Sequence, residues 1–267
     1  MNIFTGTRPA AVAGMFYPAD PDELRRQVSS FIGQERVDRE VPKALIVPHA
    51  GYIYSGMVAA AAYERLLPAR DRIKNILLLG PAHRVPLFGL AAPEVDRFQT
   101  PLGEVDLDTH TIQHLVETIP QVRSMELAHE EEHSLEVQLP FLQTVLSDFY
   151  LIPLVVGDAT EIQVAQVIDS VCGRDDCCVI ISSDLSHFHS YNKARQLDLE
   201  TAKTIESLRG DQLPEHSACG RIPISGMLRV ARQRKMRIER FDLRSSGDTA
   251  GDHHQVVGYG AWGLFES

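Results

Sequence analysis

The sequence predicts a single α/β domain over residues 1–267, with a mostly parallel central sheet flanked by helices on both faces. Three observations carry that expectation. Nearly pure aliphatic runs recur at residues 44–47, 76–79, 151–156 and 179–181, and strands that are apolar on both faces are those buried within parallel sheets. Segments of helical length and spacing separate these runs. Finally, 267 residues suit one α/β core, and no internal repeat or Gly-, Ser- or Pro-rich linker divides them.

In chain order, residues 20–32 place Leu24, Val28, Phe31 and Ile32 on one side, which predicts a leading helix packed on the sheet. Residues 44–47 form a strand that stops at Pro48, and residues 55–67, with their alanines and Leu66-Leu67, form the helix that follows. Further strands are expected at 76–79, 151–156 and 179–181. Further helices are expected at 108–118, 133–146, 161–171, 191–208 and 224–233. Residues 256–265 contain Gly258, Gly260 and Gly263 and read as a last strand with close backbone packing.

Composition narrows the function. With 44% hydrophobic and 23% charged residues the chain has enough apolar side chain for a large core. A net charge of -10 repels phosphate backbones and anionic lipid, so nucleic-acid and membrane partners are not expected. The densest basic stretch, from Arg229 to Arg240, reads as the solvated face of a late helix and the strand after it. No leader-like N-terminus and no apolar run of about 18 residues is visible. Four cysteines, two of them adjacent at Cys177 and Cys178, do not make a disulfide framework and fit a reducing, cytoplasmic compartment.

Ligands of open parallel sheets bind beyond the carboxyl ends of the strands. There the chain carries Pro48-His49-Ala50-Gly51-Tyr52, Gly80-Pro81-Ala82-His83-Arg84 and the segment from Ser182 to His189, which holds Asp184 and His187; Gly157-Asp158 follows another strand. One such histidine is ordinarily structural. Three on one edge point to a shared site, and neutral imidazole is a common ligand for zinc, iron or copper. Candidates for a third donor are Asp184, His187 and Cys219, the one cysteine in a polar, Gly-flanked context. Tyr52, Tyr54 and Arg221 are candidates for holding a substrate around the cleft, the plain alternative for the tyrosines being an aromatic pair that closes a turn. The run His129-Glu130-Glu131-Glu132-His133 matches a metalloprotease spacing. Its context argues against that reading, because Pro140 lies seven residues on and the apolar positions begin only after His133. His133 instead reads as the start of a helix facing the same pocket.

These segments resemble the Memo proteins, also called system protein B of the AmmeMemoRadiSam group. The resemblance rests on Arg8-Pro9-Ala10, Gly14-Met15-Phe16-Tyr17-Pro18, the run from Pro48 to Gly56, Leu79-Gly80-Pro81-Ala82-His83, and Glu132-His133-Ser134-Leu135-Glu136 with Gln138-Leu139-Pro140. It continues through Ser182-Ser183-Asp184-Leu185-Ser186-His187, Cys219-Gly220-Arg221, Ser245-Ser246-Gly247-Asp248 and Val256-Val257-Gly258-Tyr259, so nearly the whole chain is covered in family order. It implies the fold of class III extradiol ring-cleaving dioxygenases, which hold Fe(II) with two histidines and a glutamate. By that resemblance His49 and His83 match the histidine ligands and Cys219 takes the carboxylate's place. His187 matches the acid/base histidine, with Asp184 beside it. The expected cofactor is Fe(II), with copper or zinc as alternatives, and the expected partner is a small molecule or a peptide. A thiolate is softer than a carboxylate and is itself oxidisable. The expectation is therefore a dioxygenase-like redox or oxygenase site, the alternative being a metal-, peptide- or metabolite-binding module that kept the pocket without ring cleavage.

Overall fold

The aliphatic runs form the centre of the sheet. In the computed structural model, which describes residues 4–33, 39–173 and 175–266, strands Ala44–Val47, Cys177–Ser182, Asn75–Pro81 and Tyr150–Val156 lie side by side in that order and run parallel. Every residue in them except Tyr150 is buried, as two-sided coverage requires. Helices Pro21–Phe31, Tyr52–Tyr63 and Leu139–Val145 pack on one another, and Tyr52–Tyr63 lies against Ala44–Val47. Glu161–Val171 packs on Arg221–Gln233, which lies against Asn75–Pro81 and Cys177–Ser182. Among the described residues no helix is long and apolar enough to cross a membrane.

Outside these four strands the sheet is mixed. Val256–Phe265 runs antiparallel to Ala44–Val47, and both Arg237–Ser245 and His187–His189 pair antiparallel with it. On the far side, Leu90–Ala92 runs antiparallel to Tyr150–Val156 and parallel to Val122–Ser124. A separate three-stranded sheet joins Thr7–Arg8, Arg97–Thr100 and Gly103–Asp106. Apart from Val256–Phe265, which is ten residues long and buried at nine of them, these flanking strands are short, or half-exposed along their length. They therefore lack the aliphatic signature of the central four.

Residues 133–146, expected as one helix, form two: His133–Glu136 and Leu139–Val145. Pro140 sits in the first turn of the second. Proline there has no N–H to donate, and in a continuous helix its ring would clash with the carbonyl of Glu136. The break leaves His133 at the start of its own short turn, beside the strand ends.

A buried ion pair ties the N-terminal segment to that turn. Arg8 Nη1 meets Glu136 Oε2 at 2.7 Å, and both side chains are almost wholly buried. Glu136 also accepts the N–H groups of Ala11 and Val12 and the Tyr17 hydroxyl, at 2.8, 2.9 and 2.6 Å. Arg8 donates onward to the carbonyls of His129 and Glu132. Removing one partner strands the other charge away from water, so Arg8→Ala is expected to destabilise the fold by about 3–5 kcal/mol. Urea denaturation of the variant against the parent protein checks this; a loss below about 1 kcal/mol, the scale of an exposed pair, would contradict it.

Candidate metal centre

His49 and His83 each stand two residues beyond a parallel strand, on either side of Cys177–Ser182, whose own end leads into Asp184. The turn at His133 brings a third imidazole to them. One ring nitrogen from each of His49, His83 and His133 lies within 4.8 Å of the other two. The ring centroids are 4.5 Å apart for His83–His133, 5.1 Å for His49–His83 and 5.5 Å for His49–His133. Two glycines permit this closeness. A Cβ on Gly80 would lie 2.7 Å from Ser134 Oγ and 2.8 Å from Leu135 Cδ2, so only glycine lets the His133 turn settle on the strand end. A Cβ on Gly220 would lie 2.6 Å from Ser183 Cβ, and its absence lets the Cys219 loop close on the Ser182–Ser183 backbone. Cys219 Sγ then stands 3.2 Å from His49 Nε2.

Hydrogen bonding fixes the tautomers of two rings. Ser182 Oγ has one proton and gives it to the Ser134 carbonyl at 2.6 Å, while accepting from Gln138 Nε2 at 2.8 Å. The Gln138 amide is itself oriented, donating to the Pro48 carbonyl and accepting from the Tyr63 hydroxyl. Ser182 Oγ can therefore only accept from His49 Nδ1, 2.9 Å away, which makes His49 the Nδ1–H tautomer. Its Nε2 is left with a bare lone pair facing Cys219. Glu132 does the same for His83, its two oxygens taking the His83 backbone N–H at 2.6 Å and Nδ1 at 2.9 Å. Burial works to raise the Glu132 pKa, but the His83 ring and the N–H groups of His83 and Ser134 outweigh it and hold the carboxyl at about 2. Glu132 is thus ionised, and Nδ1 of His83 must be the donor.

Electrostatics keep His49 and His133 neutral. Burial, followed by the neighbouring imidazoles His83, His133 and His187, depresses the His49 pKa well below its ordinary value. Burial and His83 lower His133 to about 4. Neutral imidazole is the form that ligates metal. His133 Nδ1 is buried and stands 3.4 Å from Glu132 Oε1 without completing a hydrogen bond. Burial and the Asp184 carboxylate push the Cys219 thiol up to about 12, against the opposing effect of backbone N–H groups on its sulfur. A metal ion deprotonates such a thiol outright. Donors about 2.0–2.3 Å from one ion stand no more than about 4.6 Å apart, so small side-chain rotations would close the cluster around an ion. The residues present fit a transition metal.

The other candidates divide. Asp184, expected to orient His187, instead accepts the His49 backbone N–H at 2.8 Å, and its own N–H points to Cys219 Sγ at 3.2 Å. Among the described residues no hydrogen bond joins its carboxylate to the His187 ring, so it braces His49 and the sulfur. Burial raises the Asp184 pKa to about 7. His187 is half-buried on the short edge strand, held by the backbone of Leu185. Tyr52 is 3% exposed, packs between Tyr17 and Phe141, and donates its hydroxyl to the Val137 carbonyl at 2.7 Å. The helix begins at Tyr52 and turns that ring inward, so it is a core residue without a free polar atom for a substrate. Tyr54 and Arg221 are half-buried, and the Arg221 guanidinium makes no hydrogen bond or ion pair among the described residues. His133, expected on the pocket wall, is a member of the imidazole cluster.

Three orienting groups escaped sequence reasoning: Ser182, Gln138 and the pairing of Glu132 with His83. Only Glu132 carried a signal, as the residue before His133. His129 turns away from the centre, buried, with Nε2 donating to the Ala91 carbonyl at 3.0 Å from a separate helix, Leu127–Glu130. No protease-like histidine pair forms, as its context led one to expect. Outside the sulfur of Cys219, a cleft of about 400 Å³ is lined by Pro81, Leu87, Phe88, Asp158, Ile222 and Pro223, among others.

A family model described as Memo-like protein matches residues 8–262. The chain is 37% identical over 271 residues to a MEMO1 family protein of Methanosarcina barkeri, covering 95% of this chain and 98% of the relative. It is 36% identical over 268 residues to one of Aquifex aeolicus, covering 94% and 97%, and 34% identical over 278 residues to one of Sulfolobus acidocaldarius, also covering 94% and 97%.

The hydrogen-bond geometry sets two expectations. In ¹⁵N spectra of the metal-free protein, His49 and His83 should appear as Nδ1–H tautomers; an Nε2–H signal from His49 would contradict the Ser182 argument. Ser182→Ala leaves the buried His49 Nδ1–H without an acceptor and should cost about 1–3 kcal/mol in chemical denaturation.

Proposed function

This chain belongs to the Memo family, and we propose that it binds one transition-metal ion through His49, His83 and Cys219, with His133 as a further donor, and acts on a small molecule by redox or oxygenase chemistry. The observation that carries this reading is the pair of imidazoles whose Nδ1 protons are committed to Ser182 and Glu132, leaving both Nε2 lone pairs free within a cluster of three rings. Fe(II) is the first choice for a mixed imidazole and thiolate set, with copper or zinc as alternatives. When bound, iron would supply one-electron and oxygen chemistry.

The chain's own residues divide the remaining work. Cys219 would hold the ion as a thiolate, its proton passing to solvent on loading, and the Asp184 N–H directed at Sγ would stabilise that charge. Asp184 holds the His49 backbone. His187, at the rim, accepts or returns a proton at its ring nitrogen, the role of a general acid/base. The unpaired Arg221 guanidinium offers a contact to an anionic group of the substrate. Leu87, Phe88 and Ile222 give the cleft outside the sulfur an apolar wall against which a small molecule could pack.

A second reading, a binding module without turnover, is favoured by one feature: Cys219 stands where the resembled enzymes have a carboxylate, and a thiolate beside activated oxygen is itself a target for oxidation. Oxygen uptake with catechols separates the two. Turnover supports the enzyme, while a metal-loaded protein that consumes no oxygen supports the module.

Protein purified without oxygen should carry about one metal equivalent per chain by elemental analysis, and His49→Ala or Cys219→Ser should lose it. Retention of the same metal in both variants would refute the ligand assignment. Glu132→Gln keeps all four donors but no longer accepts the His83 backbone N–H and Nδ1–H with a charged group. Its metal affinity should fall about 10- to 100-fold in a competition titration with a chelator.

A further inference from the structure

At the opposite end of the strand Cys177–Ser182 from the imidazole cluster, two other sulfurs face each other. Cys172 caps the C-terminus of helix Glu161–Val171 and Cys177 is the first residue of the strand. Their Sγ atoms are 3.4 Å apart, an S–H···S contact. We propose that Cys172 and Cys177 are a redox pair that closes to a reversible disulfide on exposure to a hydroperoxide.

The geometry favours this pairing over any other among the four cysteines, none of which is in a disulfide. A disulfide bond is about 2.05 Å long, so the two sulfurs must approach by roughly 1.4 Å. Each residue lies at the end of its element, where a small backbone adjustment breaks no interior hydrogen bond of helix or strand. Cys178, the next residue on the strand, points to the other face and toward the Pro42 carbonyl. Cys219 lies against Ser183, beyond the far end of the same strand and roughly 20 Å along it at the usual rise per residue.

An oxidant has access. A cavity of about 110 Å³ is lined by both sulfur-bearing residues together with Lys43 and Arg234, ample for a molecule the size of water or hydrogen peroxide. Arg234 donates to the Cys172 carbonyl and pairs with Asp169, which fixes the guanidinium at this edge of the cavity. The hydrogen bond with Cys177, and then burial, hold the Cys172 thiol well above its ordinary pKa. The S–H···S contact leaves one sulfur holding the proton, Cys172 in this proposal, while Cys177 attacks.

The chemistry balances in two steps. The Cys177 thiolate attacks one oxygen of the peroxide, the O–O bond breaks, and the other oxygen leaves as water after taking up a proton, giving a sulfenic acid. The Cys172 sulfur then displaces that hydroxyl, which leaves as water with the Cys172 proton, and the S–S bond forms. Two thiols lose two electrons and the peroxide gains them.

The test uses the full chain, washed with chelator, treated with hydrogen peroxide, then alkylated under denaturing conditions and mapped by peptide mass spectrometry. The expected product joins residues 172 and 177, with a loss of two titratable thiols that dithiothreitol restores. In Cys172→Ser the second step is blocked, and a sulfenic acid that dimedone labels should accumulate on Cys177; Cys177→Ala should leave Cys172 reduced. The proposal is overturned if both residues stay reduced after Cys219 has been oxidised, or if they reach only sulfinic or sulfonic acid without a cross-link.

Discussion

The centre is organised by a single constraint: the inner nitrogen of two imidazoles is tied to a buried acceptor whose remaining bonding capacity is already spent. Ser182 cannot donate to His49 because its only proton belongs to Ser134, and ionised Glu132 cannot donate to His83 at all. Both rings are thereby held in one tautomer and one orientation. Metal-binding histidines need this arrangement, since a ring that is free to rotate or to protonate at Nε2 loses affinity. Glu132 has a second duty as the N-cap of His133–Glu136, accepting the Ser134 N–H. One carboxylate thus sets the position of two rings.

Behind this layer lies another that depends on it. The carbonyl of Glu132 accepts from Arg8, Arg8 is paired with Glu136, and Glu136 gathers the N-terminal segment through Ala11, Val12 and Tyr17. Buried polar networks stabilise only when every member is satisfied. Here Arg8, Glu132 and Glu136 are all paired, while the buried Nδ1 atoms of His129 and His133 complete no hydrogen bond.

Much of this was legible in the sequence. The central strands announced themselves because residues buried from both sides are uniformly aliphatic, and the rule that ligands gather at carboxyl ends of parallel strands selected His49 and His83. Cys219 stood out by its polar neighbours and lies 3.2 Å from His49. Of the flanking strands only Val256–Phe265, marked by its three glycines, was legible; the three-residue and half-exposed ones carry no such pattern. The roles of Ser182 and Gln138 were hidden for a different reason: they depend on pairings across 44 to 133 residues of chain, which no local spacing encodes. Tyr52 was misplaced because aromatic residues beside a glycine turn look alike whether the ring faces a pocket or the core. Asp184 was tied to His187 by nearness in sequence, whereas the strand end directs its carboxylate to His49.

X-ray absorption at the edge of the bound metal tests the central claim most directly, because it reports the donors themselves. The account predicts a shell with imidazole nitrogen at about 2.0–2.1 Å and one sulfur at about 2.3 Å in the metal-loaded parent protein. A shell of oxygen alone, or one that is unchanged when both His49 and His83 are replaced, would contradict it.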